Sequence, residues 1–198
     1  MDKAITVDSS TSGRQRSLAE LEQRLRALPG APKDMGRIAL VMRRNEDGQR
    51  EVLSEALLSI DTGIPGDAWG RSAERNNDAQ ITVMQNDVAE LIADGQALTL
   101  FGDNLFLELD LSADNLPPGS RVRAGSAVLE VTPKPHTGCL KFKARFGEGA
   151  LRLISKRELG DRNLRGIYMR VVQDGTVRAG DAVEVISRAQ GRYIVRSL

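Results

Sequence analysis

The sequence of 198 residues holds one cysteine, Cys139, and one histidine, His136. A lone thiol cannot close a disulfide within the chain, and one cysteine with one histidine cannot supply the four ligands of a structural zinc site. Cys139 is left as a buried inert thiol, a reactive thiolate, or a ligand to a metal held by its own cofactor. Aromatic residues make up only 4% of the chain, against 19 glycines. The core must then be built from Val, Ile and Leu around many tight turns, which favours a mainly β or mixed fold over a helical bundle. No run comes near the ~18 apolar residues of a spanning helix, and the polar start MDKAITVDSSTSGRQRS has no secretory apolar stretch. The expectation is a cytoplasmic protein with no membrane partner. A formal charge of +1 lacks the bulk basicity of a nucleic-acid binder, so no nucleic acid is expected. The chain has no G-x-S-x-G elbow, Walker loop, G-x-G-x-x-G turn or cluster of metal ligands, which argues against a serine hydrolase, a P-loop NTPase or a dinucleotide enzyme.

What is there reads as one domain. Residues 1–16 are expected to be a loose tail. Ser17 with Glu20 forms a capping box ahead of Leu18, Leu21, Leu25 and Leu28, and Pro29-Gly30 stops the helix, so residues 17–30 should dock a single apolar stripe on the main body. Short apolar runs at 38–42 and 52–60 flank the Asn45-Glu-Asp-Gly48 turn as a hairpin. A polar loop over 68–78 carries Trp69, Arg71, Glu74 and Arg75; a strand at 79–84 and a helix at 87–93 capped by Asn86 follow. Further strands are expected at 105–111 and at 121–131, the latter broken at Gly125. Pro133, Pro135 and Gly138 prevent a ladder in the next loop. Cys139, Phe142 and Phe146 recur at helical spacing, so Cys139 should open a helix, with 150–159 extending it. Residues 166–172 and 183–187 close as a hairpin. The sum is seven to nine strands and three or four helices over residues 36–188, with 189–198 as an extension. A barrel would remove the edges of so many short strands.

Charge nearly cancels overall yet is unevenly placed. Between Lys134 and Arg157 stand Lys134, Lys141, Lys143, Arg145, Arg152, Lys156 and Arg157 against the single acid Glu148. Between 85 and 115 stand seven acids, Asp87 to Asp114, and no Lys or Arg; their spacing matches no calcium loop and reads as a solvated surface. Cys139 therefore sits in the basic segment, where a thiolate is favoured and an anionic ligand is drawn. A place at the first turn of a helix adds free N–H groups and partial positive charge. His136, three residues earlier, is a candidate hydrogen-bond partner or proton shuttle. Read by themselves, the residues leave Cys139 open between nucleophile and core packing, and His136 between shuttle and oriented loop residue.

Several segments in order resemble the MOSC family, the domain named for the C-terminal part of molybdenum-cofactor sulfurases. They are Gly63-Ile-Pro-Gly66-Asp67, Gln80-Ile-Thr-Val-Met84, Gly102-Asp-Asn-Leu105, the stretch from Leu116 to Gly125 with Val128-Leu-Glu-Val131, Pro135-His-Thr-Gly-Cys139 with Lys141-Phe142 and Arg145-Phe-Gly147, and Arg165-Gly-Ile-Tyr168 with Gly175-Thr-Val177 and Gly180-Asp181. The resemblance implies a β-barrel of the pyruvate-kinase-insert type and a functional Cys139 that carries sulfur or ligates molybdenum in a pterin cofactor. It further implies that Asn104 lies near the metal, and that Asp67 and Arg165 occupy motif positions where each either serves the site or fixes a turn. Lys134, Thr137, Lys141 and Arg145 would hold the anionic pterin. The chain lacks room for the pyridoxal-phosphate domain, the extra N-terminal barrel or the fused ferredoxin of larger members.

Three functions follow as expectations. One is a molybdenum enzyme reducing N-hydroxylated substrates with electrons from a separate electron-transfer protein. Another is a sulfur carrier whose Cys139 accepts a persulfide from a cysteine desulfurase. The last is a binding module without chemistry.

Overall fold

Alternating apolar residues in seven short strands curl the sheet until it closes. The computed structural model describes residues 15–189; the expected tail over 1–14 and the extension from 190 lie outside them. The strands are β1 (Met35–Arg44), β2 (Arg50–Val52), β3 (Glu55–Leu58), β4 (Ile81–Gln85), β5 (Leu105–Leu107), β6 (Arg121–Ala124), β7 (Ala127–Val131), β8 (Ile167–Gln173), β9 (Gly175–Arg178) and β10 (Ala182–Ser187). The ring runs β1-β10-β6-β7-β8-β4-β5 and back to β1, with β2 attached to β1 outside it. Only β4 and β5 run parallel; the other pairs are antiparallel. Every strand of the ring thus has two neighbours, and no barrel edge is left to pair with another chain.

Two apolar layers result. Ile38, Val41, Ile81, Val83, Leu105 and Ile167 are among the residues that fill the barrel interior. Outside the wall lie α1 (Leu18–Ala27), α3 (Asn86–Ala93) and α4 (Leu140–Ile154), and all four phenylalanines gather there as Phe101, Phe106, Phe142 and Phe146. The rings of Phe101 and Phe146 stack at 4.2 Å. Concentrating the few large rings between helices leaves the narrow barrel to branched aliphatic side chains.

The capping box of Ser17 and Glu20 is present, and Leu21 and Leu25 bury the stripe of α1. This helix docks where α4 is interrupted: Gly147 has φ 89 and ψ 172, open to glycine alone. A Cβ at Gly149 would stand 2.3 Å from the carbonyl oxygen of Arg16. Gly149→Ala should therefore lift α1 off its seat and cost about 1–3 kcal/mol, measurable by urea denaturation; an unchanged midpoint would show that the seat yields freely.

Several expected elements differ. There are ten strands among the described residues, above the seven to nine expected. The run at 52–60 is not one hairpin arm: β2 stops at Val52, and β3 pairs with β9 as a separate ribbon. Ala56, Leu58 and Val177 from this ribbon join the barrel core, and that burial outweighs continuation along β1. For the same reason residues 166–187 do not close as a hairpin, since β10 is held between β6 and β1. The loop at 68–78 contains a short helix, α2 (Ala68–Arg71), because Asp67 caps it through the Trp69 N–H. Asn86 is not the cap of α3; Gln85 holds that place, and Asn86 donates its side-chain N–H to Glu90. The strand from Leu105 ends at Leu107, and Leu109 and Leu111 enter the core off the ladder. Past Ile154 the helix gives way to a 3₁₀ segment at Arg157–Arg162.

Candidate functional site

The wall made by β1, β5, β4 and β8 turns alternate side chains outward. Ile81 and Val83 point into the barrel, so Thr82 and Tyr168, directly opposite each other across β4 and β8, face out together. Asn104, just before β5, locks onto this face. Its Oδ1 accepts from the Thr82 N–H at 3.1 Å and hydroxyl at 2.8 Å, and its Nδ2 donates to Asp67 Oδ1 at 3.1 Å. Asp67 is 1% exposed and also accepts from the Arg44 N–H at 2.8 Å, Arg44 Nη2 at 2.6 Å and the Trp69 N–H at 3.0 Å. Burial alone would raise the Asp67 carboxyl, but the Arg44 guanidinium holds it below the usual carboxylate range. Burial likewise works against the charge of Arg44, and Asp67 keeps it above its ordinary value.

Beside this scaffold lies a second buried group. Asp103 is fully buried and accepts from Arg165 Nη1 at 2.7 Å, while its other oxygen stands 3.7 Å from His136 Nε2, beyond hydrogen-bond length. Burial pushes the Asp103 carboxyl up against the opposing pull of Arg165. The His136 ring packs on Tyr168 at 4.4 Å, and Lys134 Nζ sits 5.7 Å from the centre of the same tyrosine. The Arg165 guanidinium covers Phe142 at 5.5 Å. Among the described residues three buried polar atoms here have no hydrogen-bond partner: Asp103 Oδ1, His136 Nδ1 and Arg165 Nε. Cys139 is exposed at the start of α4, and its charge is felt at Tyr168 together with those of Arg165, Asp103 and Arg44.

His136, expected as a hydrogen-bond partner or proton shuttle for Cys139, packs on Tyr168. Among the described residues no hydrogen bond joins it to Cys139, and burial, with the charges of Arg165 and Arg44, drives the imidazole down to about 2. Its folded value lies below its unfolded one of 6.5, so its contribution to stability is complete above pH 6.5 and is lost as pH falls toward the folded value, at most about 1.4 kcal/mol per pH unit. The NMR signal of this sole imidazole should keep the neutral form from pH 8 to about pH 4; a midpoint near 6.5 would contradict the burial.

The other sequence candidates divide. Lys134 and Arg165 converge on Tyr168, whereas Thr137 and Lys141 are exposed and, among the described residues, have no hydrogen bond or ion pair with the cluster. Arg145 donates to the Leu100 carbonyl at 2.8 Å. The side-chain polar atoms of Asp67 and Asn104 are all engaged, so they position the wall. The basic run is partly neutralised: Lys143 and Arg152 pair with Glu148, and Lys156 with Glu22. Since α4 is broken at Gly147, its first piece is only seven residues long, and side-chain cations rather than the helix dipole set the local field. The acidic run is not uniformly solvated, because Asp103 lies within it. Arg44, Arg50, Asp103 and Tyr168 are not among the sequence candidates. A usable signal existed for the arginines, which flank the Asn45–Gly48 turn and so oppose each other in any tight hairpin.

Among the described residues no three His, Cys, Asp or Glu side chains gather as a metal site. An exposed thiol acting on Tyr168 together with Arg165 and Arg44, with orphaned polar atoms in the same cluster, instead fits an anionic group that brings a soft metal with its own ligands.

A model of the MOSC domain matches residues 70–184, more than half of the chain, and the protein belongs to the MOSC family. Among solved structures, YuaD from Bacillus subtilis superposes with a TM-score of 0.57 at 18% identity over 76% of this chain and 95% of that one. YiiM from Escherichia coli gives 0.53 at 22% identity over 78% and 72%, and YiiM from Geobacillus stearothermophilus 0.54 at 17% over 79% and 77%. These likenesses are of fold. No curated protein matches the sequence. Among the described residues no helix is long and apolar enough to cross a membrane.

Proposed function

We propose that the protein holds a molybdenum-pterin cofactor through Cys139 and reduces N-hydroxylated substrates. The observation that supports this reading is the exposed thiol acting electrostatically on Tyr168, where Arg165 and Arg44 also act and orphaned polar atoms gather, since it pairs a soft-metal donor with an anion-binding surface. When bound, molybdenum supplies two-electron oxygen transfer. The chain does the rest. Cys139 would hold the metal and Arg165 and Lys134 the anionic ligand, while the Asp67–Arg44–Asn104 network holds β1, α2 and the approach to β5 in register. In the overall reaction the N–O bond breaks, two electrons come from a separate redox protein, and two protons from solvent carry the oxygen away as water.

The test is elemental analysis of protein made in a cofactor-replete host, where molybdenum near one equivalent is expected. The exposure of Cys139 also suits a sulfur carrier. Protein without molybdenum that gains one sulfur atom on Cys139 after incubation with a cysteine desulfurase, read by mass spectrometry, would establish that role instead.

A further inference from the structure

Arg44 and Arg50 stand directly opposite each other across the β1–β2 pair, on the face from which Met42 enters the outer apolar layer. Like charges so placed, with Cβ atoms about 5 Å apart, destabilise the pair. The next rung shows the ordinary solution, Arg43 opposite Glu51 in a 2.8 Å ion pair. Asp67 compensates Arg44, but among the described residues no carboxylate pairs with the half-buried Arg50. A third guanidinium comes from α4. Arg145 is tied to the Leu100 carbonyl, and Arg50 reaches the same turn, its Nε lying 3.4 Å from where a Cβ on Gly102 would be. Burial and the charges of Arg145 and Arg44 push the Arg50 guanidinium below its ordinary value.

Three cations less the one carboxylate of Asp67 leave two positive charges, the complement of a dianion. Guanidinium forks match tetrahedral oxyanions geometrically. Arg145 follows Cys139 by six residues, about 9 Å along a helix at ~1.5 Å per residue, so the thiol and the arginines are placed to meet two ends of one extended ligand. We propose that Arg50, with Arg44 and Arg145, forms a subsite for a phosphate monoester. The assignment of that phosphate to the pterin rests on the cofactor reading above; the subsite itself does not.

Inorganic phosphate is the first probe, titrated by thermal shift against the purified full chain at constant ionic strength, with chloride as the control. Phosphate should stabilise the wild type and Cys139→Ala alike. Arg50→Ala and Arg50→Gln should need at least tenfold more, and without phosphate both should melt at or above the wild-type temperature because a repulsion is gone. Arg37→Ala, remote and paired with Glu108, should respond as the wild type. Equal phosphate response in the Arg50 variants overturns the subsite. The second arm compares pterin and molybdenum retained by wild type and Arg50→Gln from one host. Retention lost with Arg50 identifies the pterin phosphate as occupant. Phosphate binding through Arg50 in protein that never carries molybdenum sinks the cofactor reading and leaves a site for a free phosphate monoester. Full molybdenum with an Arg50-independent phosphate response does the reverse.

Discussion

Cys139→Ala should abolish bound molybdenum while leaving the fold in place. The side chain is exposed and makes no capping hydrogen bond at the start of α4, and substitutions at such positions stay within about 0.5 kcal/mol. For a chain of this length that is a shift of roughly 2 °C at most in melting temperature. Metal content and thermal melting on the same preparation separate the two outcomes. Loss of metal with an unchanged melt supports the thiol as ligand. Undiminished molybdenum in the variant would remove Cys139 from the site and with it the proposed chemistry.

Asp67→Ala should act in the opposite way, lowering stability strongly before any ligand is considered. The carboxylate is buried and serves the Arg44 guanidinium, two backbone N–H groups and Asn104 at once. Removing one partner of a buried pair typically costs about 3–5 kcal/mol, a drop of roughly 10 °C for a chain of this length. The pH dependence gives an independent reading. Asp67 titrates below its ordinary value in the folded state, so its contribution is present above the unfolded carboxylate range and fades as pH falls through and below it. The gap between wild type and variant, measured by urea denaturation, should therefore narrow on acidification below about pH 4. A gap independent of pH would mean that the loss comes from packing around α2 and not from the charge.

The α1 helix was readable because its capping box and apolar stripe are local: every partner lies within one turn. The start of α4 at Cys139 was readable for the same reason. The partners of β3, β9 and β10 were not, because apolar alternation shows that a strand exists without naming its neighbour. Burial of Ala56, Leu58 and Val177 in the barrel core decided that pairing. In the sequence Asp103 reads as solvated surface, since an acid among acids looks exposed until Arg165, 62 residues away, is brought to 2.7 Å.

The site separates along the same line. The chain itself determined that there is one thiol, that it opens a helix in a basic stretch, and that its ordered motifs are those of a MOSC domain, because composition and short spacing need no partner to be read. Only the closed barrel decided which charges surround that thiol. Closing the ring sets the outer faces of β1, β5, β4 and β8 side by side, so Arg44, Asp103, Arg165 and Tyr168 converge from distant segments while Lys143, Arg152 and Lys156 turn to surface partners. Charge along a chain is a count, whereas field at a point depends on distance and burial, and those exist only once the chain has folded.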